Sequence, residues 1–184
     1  MEQQNYEQRG YLHEDFRLFH LDEAMNAPVD WHYHTFHKII AFLSGSASYG
    51  IEGKSYVLEA GDLILVPSGC IHRPEIAPGA PYERIILYIS PEFLRTAGTP
   101  DCDLEACFTK AQAEFMFVLR PGAERRALLG VLSALEWEQP SQAFGRALLE
   151  RALVLQFLIG VRRGMEENRL EAIRSTACDE KVVA

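Results

Sequence analysis

Three histidines in the first half of the chain have the types and spacing of a metal or ligand site. His32 and His34 lie two residues apart in an extended segment, so their side chains point to the same face. His72 follows a second apolar strand that ends in the turn Pro67-Ser68-Gly69. Divalent metals prefer several neutral imidazoles that converge from one side and leave positions open for water or substrate. His32, His34 and His72 are therefore candidate metal ligands.

A further residue on that face, Lys38, carries the wrong charge for a metal. Lys38 lies four residues after His34 and shares its parity on the strand. An ammonium group repels a divalent cation and offers no lone pair unless it is deprotonated. His37 is an alternative fourth ligand, but its side chain should point to the opposite face. We favour the alternative that the histidines are buried polar side chains, hydrogen-bonded to each other or to a ligand, and we expect no cofactor.

A further set of residues is suited to form a small-molecule pocket around the histidines. With His32 and His34 facing inward, strand alternation also turns Lys38 and Phe42 inward. Aromatic walls with a few cations suit a sugar or another small polar organic compound, because rings stack and Lys or Arg orients a hydroxyl or carboxylate. The alternative is that the aromatic residues are only core and that Arg84 lies on the outer face. The candidate ligand-binding residues are Trp31, His32, His34, Lys38, Phe42, Tyr49, His72, Arg84 and Tyr88.

The first two thirds of the chain have the pattern of a β-structure that could position these residues. Residues 16–21 and 47–51 alternate with period two, and Glu52-Gly53-Lys54 predicts a hairpin turn. Further short apolar runs follow at close spacing, separated by Gly and Pro. Many short strands punctuated in this way are typical of a barrel or sandwich rather than a parallel α/β sheet.

After Pro121 the apolar spacing changes to that of helices. We predict one helix over residues 123–138 and a second over 142–165, with Ser141 as the N-cap of the second. Apolar residues cover most of the circumference of the second helix, so it must be covered on nearly every side. We expect part of that cover to come from a second copy of the chain, in a homodimer through these two helices.

Composition and charge exclude several classes of function. The net charge of −8 over 184 residues argues against direct binding to nucleic acid, because phosphate contacts need clustered Lys and Arg. No apolar run reaches the roughly 18 residues that a membrane helix requires, and the polar start at residues 1–9 is not a signal peptide. The four cysteines form no Cys-x-x-Cys pair, which favours free thiols in a reducing cytoplasm. No nucleophilic constellation is present, so we assign no catalytic residue.

The two histidine segments resemble the two halves of the cupin barrel motif. Residues 31–38 are similar to the first half, and residues 61–72 are similar to the second. Catalytic cupins have glutamate where Lys38 stands, glycine where Asn26 stands and a small amide where Ile76 stands. These departures weigh against a catalytic metal. They therefore also weigh against the alternative function, that of a small metal-dependent cupin enzyme such as a dioxygenase or isomerase.

Residues 10–170 as a whole resemble the N-terminal effector-binding and dimerisation half of AraC-type transcriptional regulators. The similarity lies in residues 31–40, 43–45 and 51–54, and in residues 61–67 with His72-Arg73-Pro74. In that family a barrel is followed by two dimerisation helices and then by a basic pair of helix-turn-helix motifs. The first two parts are found here and the third is not, so DNA would be bound only through a domain outside this chain.

The resemblance implies a fold and a domain organisation. The fold would be mainly β with α, a cupin-like (double-stranded β-helix) barrel followed by a C-terminal antiparallel helical pair. Residues 1–10 would be a flexible arm able to fold over the barrel mouth, and residues 11–120 the ligand-binding barrel. Residues 121–168 would be the dimerisation helices and residues 169–184 a linker towards the missing DNA-binding domain. A small-molecule effector in the barrel would then change how those domains are presented.

Overall fold

Short strands and four helices make up the part of the chain that the computed structural model describes, residues 6–25 and 27–178. The strands are β1 (Glu7–Gln8), β2 (Phe16–Asp22), β3 (His32–Tyr33), β4 (His37–Gly45), β5 (Ala47–Ile51), β6 (Lys54–Val57), β7 (Leu63–Val66), β8 (His72–Ile76), β9 (Tyr82–Ile89), β10 (Val118–Arg120), β11 (Glu171–Ala172) and β12 (Ala177–Cys178). The helices are α1 (Pro91–Ala97), α2 (Ala106–Glu114), α3 (Arg125–Glu138) and α4 (Arg146–Glu166), and a 3₁₀ turn covers Gly122–Glu124.

The strands form two six-stranded sheets whose inner faces meet. One sheet has the order β1-β3-β8-β5-β6-β12, and the other has the order β11-β10-β7-β4-β9-β2. Lys38 of β4 reaches His72 of β8, so the two sheets enclose a common interior. This is the cupin-like barrel that the sequence predicts, with mainly β structure followed by helices.

The predicted hairpin is confirmed at residues 52 and 53. Glu52 and Gly53 both have positive φ, 49° and 74°, as the central residues of a type I′ turn require. The turn joins β5 to β6 and brings Tyr49 opposite Tyr56. It therefore fixes which residues of β5 face the interior.

Helices cover the outer face of the second sheet. α2 packs against β7 and α3 against β2, and Phe108, Leu132 and Phe157 are among the side chains buried in this layer. α3 and α4 run antiparallel, since Leu128 near the start of α3 lies beside Gly160 in the second half of α4. No helix of residues 6–25 and 27–178 is both long and apolar enough to cross a membrane.

The helix boundaries differ in part from those predicted. α3 starts two residues later than residue 123, and α4 covers 146–166 instead of 142–165. Ser141 is not the N-cap, because residues 141–145 form a turn in which its Oγ accepts from the Ala143 N–H at 3.1 Å. The helices α1 and α2 were not predicted. The start of α1 had a sequence signal, Ser90 as N-cap followed by Pro91.

The two ends of the described chain are both paired with the barrel. β1 runs parallel to β3, so residues 7–8 of the predicted arm lie against the sheet. Within the predicted linker, β11 pairs with β10 and β12 pairs with β6. Residues 1–5 of the arm, residues 179–184 of the linker and the cupin-motif position Asn26 lie outside the described residues.

Candidate ligand-binding site

The three predicted histidines come together in the barrel interior. His32 of β3 is directly opposite His72 of β8 across the ladder, and His34 follows β3 by one residue. Their ring centroids are 4.4 Å (His32–His72), 4.8 Å (His34–His72) and 5.0 Å (His32–His34) apart. All three side chains are buried. The alternation within one segment and the pairing of two distant strands therefore create one imidazole cluster.

Backbone carbonyls orient each imidazole ring. Nδ1–H of His32 donates to the Asp30 carbonyl at 2.8 Å, and that of His72 donates to the Cys70 carbonyl at 2.9 Å. His34 makes the same kind of bond to the carbonyl of Arg9, which follows β1. With Nδ1 carrying the proton, Nε2 of each ring is left as an acceptor. Each neutral ring of the cluster therefore offers one Nε2 lone pair as an acceptor.

The ammonium group of Lys38 satisfies two of these acceptors. Its Nζ lies 3.0 Å from Nε2 of His72 and 3.4 Å from Nε2 of His34. Burial, and then the positive charge of Arg84, lowers the pKa of Lys38 to about 7. Burial, and then the charge of Lys38, lowers the pKa of His34 to about 3 and that of His72 well below its usual value. The rings are therefore neutral at physiological pH.

The donor set alone suits a divalent metal, but the position of Lys38 does not. The possible ligand atoms of the three histidines lie within 4.8 Å of one another, and three imidazoles are a common zinc or iron set. The Lys38 ammonium lies at hydrogen-bond distance from two of them, at the place that an ion would need. Nζ fills the place of an ion whatever its charge, and while Lys38 is protonated its charge also repels a second cation. The residues present therefore do not fit a resident divalent ion.

A second cation, Arg84, faces the same interior. Arg84 of β9 is directly opposite Phe42 of β4, and Lys38 is opposite Tyr88, so both cations lie on one face of this strand pair. Nη1 of Arg84 donates to the Tyr82 carbonyl at 2.8 Å, and its guanidinium carbon lies 4.3 Å from the Tyr82 ring centroid. The side chain is only 7% exposed, so the alternative that Arg84 lies on the outer face is wrong.

Aromatic rings line the space between and around the cations. The Tyr49 ring is stacked on His72 at 6.1 Å and lies 6.0 Å from Lys38 Nζ. The Phe42 ring is 5.9 Å from that of Tyr82, and Tyr88 lies 6.0 Å from His34. Burial raises the pKa of Tyr82 to about 12 and that of Tyr49 well above its usual value, so both hydroxyls keep their protons. Together these residues form an interior of rings, cations and hydroxyl groups.

Trp31 is the one candidate that the structure separates from the others. Its indole lies against Gly50, where an added Cβ would come within 2.6 Å of it. Because Tyr49 faces the interior, Gly50 faces out. Arg73 covers the same ring from 4.6 Å. The contact explains why residue 50 is glycine, and it places Trp31 on the outer face of the sheet.

His37 lies on the other side of β4 from Lys38, as its parity predicts. Its Nε2 is 3.0 Å from Oε1 of Glu105, its Nδ1 accepts from the Ser68 N–H at 3.1 Å, and its ring is stacked on Phe108 at 4.2 Å. Burial lowers its pKa, and Glu105 opposes that shift. His37 therefore joins the sheet to α2 and is not part of the imidazole cluster.

Two aromatic residues of the site were left out of the predicted set. Phe36 is stacked on His34 at 4.7 Å and lies 4.4 Å from Tyr88, and Tyr82 lies under Arg84. Phe36 has the parity of His34, so alternation alone could have identified it. Tyr82 lies two residues before Arg84 on β9, so the same alternation places it on the inner face.

Two facing six-stranded sheets around a polar, ring-lined interior define a cupin-like β-barrel domain. The chain belongs to the family of AraC-like ligand binding domains, which its sequence matches over residues 18–158. The matched segment includes every residue of the interior described above except the Arg9 carbonyl. No curated protein matches the sequence significantly.

Several solved structures are similar to parts of the chain. A cupin-like protein from Thermotoga maritima is 21% identical with a TM-score of 0.38, over 43% of this chain and 60% of that one. The polyketide cyclase RemF from Streptomyces resistomycificus is 22% identical with a TM-score of 0.36, over 40% and 54%. Vicilin from Corylus avellana is 17% identical with a TM-score of 0.38, over 42% and 22%. The chain spans less than two thirds of each of these structures, and the likenesses carry no information on activity.

Proposed function

We propose that this protein is the small-molecule-sensing and dimerisation domain of an AraC-type transcriptional regulator. The observation that carries the proposal is the barrel interior, where two cations, three neutral imidazoles and several tyrosine rings are buried without a carboxylate facing Lys38 among the described residues. Buried cations are normally paired. An interior that leaves Lys38 without a carboxylate, and pairs Arg84 only with the largely exposed Glu23, is suited to bind a small polar molecule without a catalytic residue.

The helical pair supports the dimerisation part of the proposal. The groove between α3 and α4 has a volume of about 620 Å³, and Ala127, Val131, Leu155 and Ile159 are among the residues that line it. At the end of the pair where α3 is joined to α4, Trp137, Phe144 and Leu148 are exposed, Phe144 fully. Large exposed apolar side chains near one another in the fold are typical of an interaction site. A second copy of the chain is the occupant we propose, because it would bring the same apolar surface to the groove.

Light scattering after size-exclusion chromatography tests the dimer directly. We expect a mass of twice 20.8 kDa at micromolar concentration. Leu155→Glu should convert it to the monomer, because a carboxylate would be buried in the interface. Val57→Glu, the same kind of change at an exposed residue of β6, is the matched control and should remain dimeric. A monomeric wild type, or a dimer that Leu155→Glu does not affect, would contradict this assignment.

The DNA-binding half, the regulatory outcome and the cytoplasmic location are also proposals. DNA contact would come from a domain outside this chain, consistent with its net charge of −8. A reducing compartment is supported by the described cysteines, Cys70, Cys102 and Cys107, which form no disulfide. Coupling between effector and DNA would require that the effector binds two states of the dimer with different affinity.

A metal-dependent cupin enzyme is the second candidate, and the convergence of His32, His34 and His72 is the observation that favours it. We propose instead that the site works without a metal, because Lys38 takes the ion's place. Elemental analysis of protein prepared without a metal-binding tag tests this. Near-stoichiometric zinc, nickel, iron or manganese that is lost in His72→Ala would support the enzyme. Lys38→Glu, which replaces the cation by a carboxylate, should bind metal and shows that the assay can detect it.

A further inference from the structure

We infer that the effector of the proposed sensor is a small organic carboxylate, and that its carboxylate binds in the barrel interior between Arg84 and Lys38. This inference rests on the proposed function and specifies the chemical class of its ligand. Four features of the interior lead to it: the charge balance, the free hydrogen-bond donors, the mutual repulsion of the cations and the aromatic walls.

Counted over the described residues, the side chains of the interior carry a net positive charge. Arg84 has one carboxylate partner, Glu23, at 3.3 Å, and the Glu23 side chain is 63% exposed at the edge of the barrel. Lys38 has no carboxylate partner in the described part of the chain and contacts only the neutral rings of His34 and His72. One negative charge placed inside would therefore compensate charge that the protein leaves uncompensated.

Several hydrogen-bond donors of the interior have no acceptor among the described residues. The hydroxyls of Tyr49, Tyr82 and Tyr88 form no hydrogen bond to another described residue. No buried side-chain oxygen or nitrogen of the described residues lacks a partner, so these three hydroxyls are accessible and can donate to a ligand. Lys and Arg offer donors and no acceptors. The ligand should therefore be rich in acceptors, as a carboxylate is, whereas a sugar also brings many donors that need acceptors in return.

The two cations destabilise each other as long as no anion lies between them. Both cations are buried, and the one carboxylate among the described residues that contacts either of them is the largely exposed Glu23. Both side chains come from the same face of the β4–β9 pair. A carboxylate that contacts both groups converts this repulsion into attraction, and its two oxygens match the planar fork of a guanidinium.

The walls around the cations are suited to an apolar or aromatic body. Phe36, Phe42 and Tyr88 each contact another ring of the site, and such rings favour an offset stack with a planar group. The residues Phe19 and Ile86, which are paired across β2 and β9 next to Tyr88, are only partly buried. The ligand that fits these observations is an aromatic or short-chain monocarboxylate.

The test compares carboxylates with their uncharged amides on the dimeric protein as purified. The probes are acetate, benzoate and phenylacetate, then acetamide, benzamide and phenylacetamide, with glucose and ribose as uncharged sugars. Thermal unfolding identifies the probes that stabilise the protein, and isothermal calorimetry measures their dissociation constants. We expect at least one carboxylate to bind. Its amide should bind more weakly by a factor of roughly ten or more, since the amide lacks the charge-assisted bonds.

Variants then locate the site. Arg84→Gln should weaken binding of that carboxylate by roughly tenfold or more, and Lys38→Gln should do the same if Arg84→Gln does not fold. Arg73→Gln is the matched control, because Arg73 is also stacked on an aromatic ring, that of Trp31, but on the outer face. Its affinity should equal that of the wild type.

Three results would overturn the inference. Equal binding of acid and amide would remove the role of the charge. Carboxylate binding that neither Arg84→Gln nor Lys38→Gln weakens would place it elsewhere. Binding of glucose or ribose with no carboxylate binding would refute the ligand class and leave the proposed sensor intact. If no probe binds, the carboxylate assignment fails, and light scattering still decides the dimerisation part of the proposed function separately.

Discussion

Two buried charges in this domain have opposite surroundings. The carboxylate of Asp62, next to β7, is fully buried, and Oδ1 accepts from Nε of Arg120 at 2.9 Å. Its Oδ2 accepts from Nη2 of Arg120 at 3.0 Å and from the Glu59 N–H at 2.8 Å. Lys38 is buried to a similar degree, but it contacts neutral rings and its charged neighbour Arg84 has the same sign.

The difference shows which polar cluster supports the fold and which is available for a ligand. Asp62 and Arg120 join β7 to β10 in a closed, bidentate pair that has no capacity left for another molecule. The interior around Lys38 retains net charge and free donors. A buried group that is fully satisfied stabilises the folded state, whereas a group left unsatisfied lowers stability unless another molecule completes it.

The largest effect should come from breaking the closed pair. Arg120→Met leaves the Asp62 carboxylate buried without its cation, which should lower the free energy of unfolding by about 3–5 kcal/mol. Urea unfolding at neutral pH measures the loss. Arg162→Met, which breaks the exposed pair with Glu166 on α4, is the control and should cost less than about 1 kcal/mol. Equal losses for the two variants would show that the buried Asp62–Arg120 pair stabilises the fold no more than an exposed ion pair does.

An effect of opposite sign is expected at Lys38, and it depends on pH. Its pKa is 10.5 in the unfolded chain and about 7 in the folded one. Between these values the unfolded state binds the extra proton, so stability rises with pH, by up to about 1.4 kcal/mol per unit. The gain is fully present above pH 10.5 and is lost as the pH falls to about 7.

Lys38→Met should therefore flatten the pH profile and be more stable than the wild type near pH 7. Urea unfolding of both proteins from pH 6.5 to 9.5 provides the comparison. Lys110→Met, a change of the same kind on α2, should keep the wild-type profile. If the profile of Lys38→Met rises as steeply as that of the wild type, the burial of an ammonium in this interior is not the cause of the pH dependence.

The smallest effect is expected where a charge is only partly buried. Glu105 is 31% exposed and lies 3.0 Å from His37 on the helix-covered side of β4. Glu105→Gln should cost about 0.5–1 kcal/mol and should lower the pKa of His37 further, because the carboxylate opposes the effect of burial. An NMR titration of the histidine side chains follows the shift. A pKa of His37 that rises in the variant would contradict this interpretation.

Local patterns in the sequence predict much of the inner face of the barrel, because strand parity is a property of neighbouring residues. From His34 the alternation leads correctly to Lys38 and Phe42 on one side and to His37 on the other. The same rule turns Trp31 outward, because it directly precedes the inward-facing His32, so including it in the predicted pocket was a parity error; its contact with Gly50 shows the outer position. Non-local register decides instead that Arg84 lies opposite Phe42 and Tyr88 opposite Lys38.

The helical region was predicted less accurately, for a related reason. The 3.6-residue period identifies α3 and α4 but not their ends, where Ser141 forms a turn instead of a cap. Helix α2 has a weak amphipathic pattern, and Phe108, Cys107 and Ala111 are buried in it through contacts with β7 and α4. Tertiary packing, rather than intrinsic propensity, determines such a short helix.

The bond between His34 and the Arg9 carbonyl links the N-terminal strand to the chemistry of the interior. Nδ1 of His34 carries its proton because that carbonyl accepts it, and the carbonyl is held there by β1 and by the Arg9 N–H, which donates to the Tyr33 carbonyl at 2.9 Å. Detachment of β1 would release the ring to exchange tautomers, and Nε2 would then present Lys38 with a proton in place of a lone pair. The pairing of β1 with β3 and the tautomer of His34 are thus coupled equilibria, so that a change in one shifts the other.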